Sequence, residues 1–423
     1  MKGAANYIAL AIPVFFLLIG IELLVAKLQK SKFYRFNDAV TNISCGIGQQ
    51  ILGVFLKTLL ALGYLYLYNN FRLLDLSADK WWVWLVCFLG VDFFYYWFHR
   101  YAHEISFLWG GHIVHHQSEE YNLSVALRQG AFQTSTSWVF YLPLAIIGFD
   151  PITFVVVNQF QTLYQFWIHT RTIGKMPGWF EFVFNTPSHH RVHHGINPVY
   201  IDRNHAGTLI IWDRMFGTFQ AEKEPVVYGV TKALASWNPV WANFDYFVDV
   251  LKLAAKCRNF GDVVRVFVKK PGWRPAYLGG PQSPQPVRND SRPKYGIPAP
   301  IGLNYYVLAQ YFILLVTATV FLFTNAKFGN YFAGGWATFW KVGLAAWILL
   351  SIMSLGGLLD RKGWAPFVEA GRILLLVAGL TALLMGNPWL IWAIAGAVAY
   401  AIGSMVWLAQ YQSWLTGANK NLA

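Results

Sequence analysis

Six long apolar stretches constrain this chain more than any other feature of its sequence. Each approaches the roughly 20 apolar residues that an α-helix needs to cross a bilayer. Such stretches predict an all-α protein, a polytopic bundle of transmembrane helices. The six stretches are Tyr7–Ala26, Trp81–Phe98, Leu303–Phe323, Trp336–Leu359, Arg372–Met385 and Pro388–Leu408.

Composition supports a membrane protein. Hydrophobic residues make up 56% of the chain and charged residues only 13%, whereas a soluble protein carries about a quarter charged residues. Ile43–Tyr68 is a weaker candidate span, because Gln49, Gln50 and Lys57 interrupt it. Ala131–Gly148 and Pro151–Ile168 flank a short turn, which predicts a helical hairpin.

The distribution of charge predicts an orientation. The net charge is +13, and the positive-inside rule with anionic lipid explains it more simply than nucleic-acid binding. Lys27, Lys30, Lys32 and Arg35 follow the first stretch, and residues 169–301 hold 17 Lys and Arg against 9 Asp and Glu. Alternating spans then place both regions on one side, predicted to be cytoplasmic.

Prolines predict the domain boundary. Residues 271–300 hold eight of the 18 prolines, which indicates a Pro-rich linker. We therefore expect a membrane-embedded domain over 1–270, which contains every histidine of the chain, and C-terminal transmembrane helices over 301–423. The three cysteines are far apart and form no CxxC pair, so neither a disulfide framework nor a thiolate metal site is expected.

Histidines carry the chemistry of the sequence, since all 11 lie between His99 and His205. Spacings of three and four residues put imidazoles on one helix face, where they can share a metal ion. Eight or more ligands are too many for one ion, so the pattern predicts two. The predicted ligands are His99 and His103, then His112, His115 and His116, the single His169, and finally His190, His193 and His194.

Other residues near these groups have less certain roles. His189 and His205 could contact the metal ligands without binding a metal, or they could be plain surface residues. Asp92 lies in an apolar span on the same helix face as His99 and His103, and it could orient a ligand imidazole or be buried against a base such as Arg100. Glu104 could be a ligand, a base or a solvated charge. HExxH is absent because Arg100 follows His99, which argues against a zinc protease.

At these groups the chain resembles the fatty acid hydroxylase/sterol desaturase superfamily, whose pattern is HxxxH, HxxHH, a single His and HxxHH. NLSVALRQ (122–129) and TPSHHRVHHG (186–195) are similar to its members that oxidise ether lipids. His205 stands where those members have a tyrosine, while Glu104 matches their acidic residue. The segments that carry the resemblance are VDFFYYWFHRYAHE (91–104), EEYNLSVALRQ (119–129), LYQFWIHT (163–170), NTPSHHRVHHG (185–195) and LIIWDRMFGTFQAE (209–222).

The resemblance implies a chemistry. Two iron ions, replaceable by zinc on purification, would use O2 to hydroxylate the carbon next to the ether oxygen of alkylglycerols, releasing a fatty aldehyde. Tetrahydrobiopterin would supply electrons, although no segment indicates a pterin pocket and the donor stays open. The expected membrane is the bacterial inner membrane or the endoplasmic reticulum.

Alternatives remain at the level of sequence. The same scaffold could hydroxylate or desaturate a sterol or a fatty acyl chain, because substrate choice depends on the pocket. Histidines could instead serve a metal transporter or sensor. Four arginines near the histidines, Arg100, Arg128, Arg171 and Arg191, could bind a phosphate or glycerol head group or merely anchor the chain.

Overall fold

The computed structural model describes residues 6–284, 287, 293–327 and 335–416, and all the regular elements in these ranges are helical. The predicted all-α class is therefore confirmed. The helices are α1 (Tyr7–Leu28), α2 (Phe36–Phe71), α3 (Trp81–Glu104), α4 (Ser106–His116), α5 (Gln133–Ile147), α6 (Pro151–Trp167), α7 (Gly178–Val183), α8 (Pro187–His193), α9 (Ile211–Met215), α10 (Pro239–Ala254), α11 (Phe260–Val268), α12 (Ile301–Thr324), α13 (Gly335–Leu359), α14 (Ala365–Leu383), α15 (Leu390–Ala409) and α16 (Gln412–Leu415).

Seven of the described helices are long and apolar enough to cross a membrane: α1, the first part of α2 (Phe36–Lys57), α3, α12, α13, α14 and α15. They include all six predicted stretches. The predicted Arg372–Met385 stretch is the latter part of α14, which begins at Ala365. Helix α3 continues six residues beyond the predicted Phe98 and carries His99 and His103 on its last turns.

The chain divides into two compact units. One contains residues 1–49, 53–234 and 242–294, and the other contains 50–52, 235–241 and 295–423. The first unit ends at residue 294, within the predicted linker 271–300. In the described part of that range the regular structure is a short 3-10 turn, Ala276–Leu278.

Helix α3 is central to the first unit, where it packs against α4, α5 and α6. Val83, Cys87 and Val91 of α3 are buried against Tyr141 and Leu144 of α5. At Gly90 the helices come so close that a Cβ atom would lie 2.7 Å from Cδ2 of Leu144. This contact holds the histidine-bearing end of α3 in a fixed position relative to the hairpin.

The predicted hairpin is present as α5 and α6. Gly148 adopts a positive φ of 120° at the end of α5, a conformation that costs glycine little. Asp150 caps α6 by accepting hydrogen bonds from the amides of Ile152 (2.9 Å) and Thr153 (3.1 Å). Helix α6 runs back along α1 and α3 and ends beside His169.

The second unit packs α13 against α12 and α14, and α15 against α12 and α14. A polar network lies in its apolar interior. Arg372 donates to the carboxylate of Glu369 (Nε to Oε2, 2.8 Å), which also accepts from Tyr306 and Ser354, each at 2.6 Å. Buried charges are rarely retained without such partners, so this network explains how α14 tolerates two charged residues.

Candidate metal centre

Four helices bring the predicted histidines together. Helix α3 ends with His99 and His103, α4 ends with His112, His115 and His116, and His169 lies just past the end of α6. Helix α8 begins with Pro187 at its first turn, where its missing N–H costs nothing, and presents His190, His193 and His194. All nine are buried.

The nine histidines form two separate groups. One ligand nitrogen from each member lies within 4.8 Å of the corresponding nitrogens in the same group. An ion about 2.1 Å from each nitrogen would hold its ligands within about 4.2 Å of one another, so small shifts would close either group on an ion. The five-histidine group is His99, His103, His112, His116 and His193, and the four-histidine group is His115, His169, His190 and His194.

Hydrogen bonds fix which nitrogen of several rings carries the proton. Nδ1 of His99 lies 2.7 Å from the carbonyl oxygen of His205, and Nδ1 of His115 lies 2.9 Å from that of Arg128. Since a carbonyl only accepts, each Nδ1 carries the hydrogen. The same holds for His169 with the Gln165 carbonyl (2.7 Å) and for His193 with the Arg203 carbonyl (3.0 Å), while His112 faces the side-chain oxygen of Gln133 at 2.8 Å.

The inward nitrogens of these rings therefore carry lone pairs that face one another. Nε2 of His99 lies 2.9 Å from Nε2 of His112 in the larger group, and Nε2 of His115 lies 3.2 Å from Nε2 of His169 in the smaller one. Two lone pairs at this distance repel unless a cation lies between them. Nε2 of His103, His193 and His194 is also buried with no hydrogen-bond partner among the described residues. The donor set fits metal ions.

Burial lowers the pKa of several of these imidazoles and keeps them neutral, as metal ligands must be. Loss of solvent lowers the pKa of His112 to about 3 and that of His169 to about 4. The pKa values of His115 and His194 also fall well below the ordinary value, chiefly through burial and further through neighbouring imidazoles. At neutral pH these rings offer uncharged nitrogen donors.

Asp92 does not contact an imidazole, in contrast to the expectation from helix periodicity. Its buried carboxylate accepts hydrogen bonds from the amides of Thr208 (2.8 Å) and Leu209 (2.9 Å), from Trp212 Nε1 (3.0 Å) and from Gln161 Nε2 (3.3 Å). None of these partners is the base considered above, Arg100. Asp92 therefore positions the segment that begins just after His205, and the carbonyl of His205 orients His99.

Glu104 lies outside both groups. Its half-buried carboxylate accepts from Arg100 Nε at 3.2 Å, one helical turn away. Glu104 is therefore an ion-pair partner of Arg100 in this structure. A catalytic role for Glu104 stays a prediction.

His189 and His205 also lie outside both groups. His189 is 3.9 Å from the carboxylate of Glu181, and its pKa falls to about 4 because it is buried. His205 is fully buried, with its ring centroid 5.1 Å from that of His103. Both contribute a backbone carbonyl to the site. The His189 carbonyl accepts a hydrogen bond from the side chain of Asn204 at 3.0 Å, and the His205 carbonyl accepts one from His99.

Sequence reasoning missed the residues that hold the loop 203–210, which leads into α9. Asp213 accepts from the amides of His205 and Ala206, both at 2.8 Å. At Gly207 a Cβ atom would lie 2.0 Å from Gln161 Nε2 and 2.9 Å from Tyr95 Cδ1, so a larger residue there would displace these side chains. The sequence signal for this loop was a run of small and polar residues after Asn204. Such a run does not by itself indicate a functional role.

Glu22 is a second support of the site that sequence reasoning missed. It is buried in α1 and accepts from the amide of Leu123 at 2.8 Å, and it also accepts from the hydroxyls of Tyr34 and Thr170. Thr170 follows His169 directly. The first membrane helix is thereby joined to the segment that carries this ligand.

Three of the four arginines near the histidines have internal roles. Arg128 donates to Val114 O (2.6 Å), and Arg191 donates to Glu222 (2.8 Å) and Ile173 O (2.7 Å). Arg100 pairs with Glu104. Arg171 is exposed and lies over the ring of Phe33, 4.5 Å from its centroid, so it is the one of the four best placed to meet a head group.

A polytopic helical membrane protein with nine histidines in two groups defines a histidine-rich membrane oxidase. The profile of the fatty acid hydroxylase family matches residues 84–218, the region that contains all 11 histidines. No solved structure matches the chain.

Relatives that match most of the chain narrow this class. The chain is 40% identical over 379 residues to alkylglycerol monooxygenase of Xenopus tropicalis, an alignment that covers 89% of this chain and 82% of the relative. It is 39% identical to the human enzyme of that name (89% and 83% covered) and 32% identical to the Caenorhabditis elegans enzyme (80% and 69% covered). The chain belongs to the alkylglycerol monooxygenase family and is a monooxygenase, which sets aside a metal transporter or sensor.

Proposed function

We propose that the chain is a di-iron, O2-dependent lipid monooxygenase that hydroxylates the carbon next to the ether oxygen of alkylglycerols. The observation that carries this proposal is the division of nine buried imidazoles into a group of five and a group of four. The relatives named alkylglycerol monooxygenase supply the substrate class. We propose that all nine histidines are metal ligands, one group for each ion.

The donor set favours iron. Imidazole suits Fe, Zn, Cu and Ni, but zinc has no redox chemistry, so it could replace the native ion without supporting oxidation. Copper(I) prefers soft sulfur ligands, and neither group contains a Cys or Met. Iron ions held by the two histidine groups would activate O2 for insertion into a C–H bond, with electrons from an external reductant.

The overall reaction balances with an external reductant. One oxygen atom enters the C–H bond beside the ether oxygen, and the other leaves as water with two electrons and two protons. In the hemiacetal product the bond between this carbon and the former ether oxygen then breaks. The hydroxyl proton passes to the departing oxygen, and the products are glycerol and a fatty aldehyde. We propose tetrahydrobiopterin as the donor from the resemblance.

The chain's own residues prepare this reaction in three ways. Burial of all nine histidines excludes water from the centre, and the backbone carbonyls of Arg128, Arg203 and His205 hold the rings in one tautomer. Arg171 is placed to meet the polar head of the lipid. The ether oxygen makes its neighbouring C–H easier to oxidise than a mid-chain methylene, so holding the ether beside the centre is the main requirement.

The excess of basic residues on the histidine side supports a site that faces the cytoplasm. We propose the bacterial inner membrane or the endoplasmic reticulum as the location.

The experiment uses purified protein in nanodiscs with iron, O2, tetrahydrobiopterin and an alkylglycerol. We expect fatty aldehyde and two metal ions per chain, with both reduced in His115→Ala and His193→Ala, one from each group. His189→Ala is the matched control, because His189 lies on the same helix as His193 but outside both groups, and it should keep both metals.

Two outcomes would contradict the proposal. A single ion per chain in a fully active preparation would contradict the two-ion centre. Hydroxylation or desaturation of a sterol or acyl chain, with no aldehyde from any ether lipid, would contradict the substrate and leave the metal centre standing.

A further inference from the structure

Helix α11 (Phe260–Val268) has an exposed apolar face. Phe260 is 80% exposed, Val264 40% and Val268 53%. At about 100° per residue the three lie within roughly 80° of arc on the helix. The opposite face is occupied, because Val266 is buried against Val250 and Ala254 of α10. The exposed face is therefore distinct from the packing face.

Exposed cations flank this face on both sides in sequence. Lys256 and Arg258 precede the helix, and Lys269 and Lys270 follow it. The acid of the helix, Asp262, is buried and already accepts from Arg265 (2.9 Å) and Tyr277 (2.9 Å). An apolar stripe bordered by Lys and Arg is typical of helices that lie in the membrane interface.

The position of α11 along the membrane normal follows from a backbone hydrogen bond. The amide of Ser106 donates to the carbonyl of Lys269 at 2.9 Å. Ser106 comes two residues after Glu104, where the candidate membrane span α3 ends. The C-terminal end of α11 therefore lies beside the C-terminal end of α3, six residues beyond the apolar stretch Trp81–Phe98.

Helix α11 also contacts the metal centre through one neighbour. It packs against α4, which carries His112, His115 and His116. The depth of α11 in the membrane thus sets the depth of three of the nine histidines.

We propose that α11 is an interfacial helix that binds the anionic lipid surface, with Phe260, Val264 and Val268 among the acyl chains and the flanking lysines and Arg258 at the head groups. Lys270 lies 4.0 Å from the carboxylate of Asp202, and anionic head groups match the other three flanking cations in charge, which selects lipid over an apolar protein partner or a second copy of this chain. The contact fixes the metal centre close to the membrane surface.

The experiment measures depth directly, without relying on enzyme activity. A nitroxide label is attached at Val264→Cys in a Cys257→Ser background, because Cys45 and Cys87 are buried. Collision with O2, which concentrates in lipid, is compared with collision with a water-soluble nickel chelate. Leu17→Cys on the exposed face of α1 is the lipid standard, and Lys223→Cys in an exposed loop is the water standard.

We expect the label at 264 to lie at a depth between the labels at 17 and 223, with more access to O2 than the label at 223, and to move toward water in anionic nanodiscs when Lys256→Gln and Lys269→Gln are introduced together. The same pair should have no effect in zwitterionic nanodiscs. A label at 264 that matches the one at 223 would overturn the proposal and leave the face for a protein partner or a second copy. A depth that is insensitive both to lipid charge and to the two lysine changes would overturn the head-group contact.

Discussion

Replacing Asp92 by Asn tests whether a residue without any contact to an imidazole nevertheless supports the metal centre. Each carboxylate oxygen of Asp92 accepts two hydrogen bonds: Oδ1 from Thr208 N and Gln161 Nε2, and Oδ2 from Leu209 N and Trp212 Nε1. An asparagine can keep its oxygen toward only one of these pairs. Its NH2 group must then face two donors.

The magnitude follows from those four bonds. Two buried donors lose their acceptor at about 1–3 kcal/mol each, and the other two lose the benefit of a charged acceptor. We expect Asp92→Asn to lower the free energy of unfolding by about 3–6 kcal/mol. The loosened segment also contains the carbonyls of Arg203 and His205, which orient His193 and His99, so metal affinity should fall by about 10–100-fold.

The assay measures metal content after graded chelation, alongside unfolding in a denaturing detergent. Asp150→Ala is the matched control: it removes the cap of α6 and should cost about 1 kcal/mol without changing metal affinity. Wild-type metal affinity in Asp92→Asn, or an equal loss in Asp150→Ala, would show that the hydrogen bonds of Asp92 do not reach the histidines.

Two further predictions concern pH and the second unit. Because burial lowers the pKa of His112 to about 3 and of His169 to about 4, the unfolded chain binds more protons below pH 6.5, and the chelated protein should lose about 2 kcal/mol per imidazole between pH 7 and 5. The free energy of unfolding should depend less on pH in His112→Gln than in the wild type. A stability that rises as the pH falls would contradict the prediction. Arg372→Leu should cost about 3–5 kcal/mol by leaving Glu369 buried without its partner, and the double variant with Glu369→Leu should recover part of this loss; additive losses would show that the pair does not interact.

The sequence predicted the membrane helices well because their signal is local. A helix surrounded by lipid needs only an apolar run of sufficient length, and five of the six predicted stretches are such runs, Arg372–Met385 being shorter at 14 residues. Glu369 and Arg372 in α14 show where this reasoning fails. These charges hid the start of the helix at Ala365 in the sequence, because the partners of Glu369 come from α12 and α13 and are known only from the structure.

The supports of the site could not be predicted in the same way. Asp92 shares a helix face with His99, which suggested direct contact. The side chain instead reaches Thr208, 116 residues further along the chain. Long-range partners of this kind depend on the path of the loop 203–210, and a loop has no periodicity from which its path can be predicted.

The two groups explain why HxxHH appears twice. Neighbouring residues on a helix point about 100° apart, so His115 and His116 cannot both face the same ion. In α4, His112 and His116 join the five-histidine group while His115 joins the other, and in α8 His193 joins the first group while His190 and His194 join the second. Each HxxHH box therefore contributes to both groups. Helices α4 and α8 therefore lie along the boundary between the two groups, and the spacing of their histidines would set the distance between the two proposed ions.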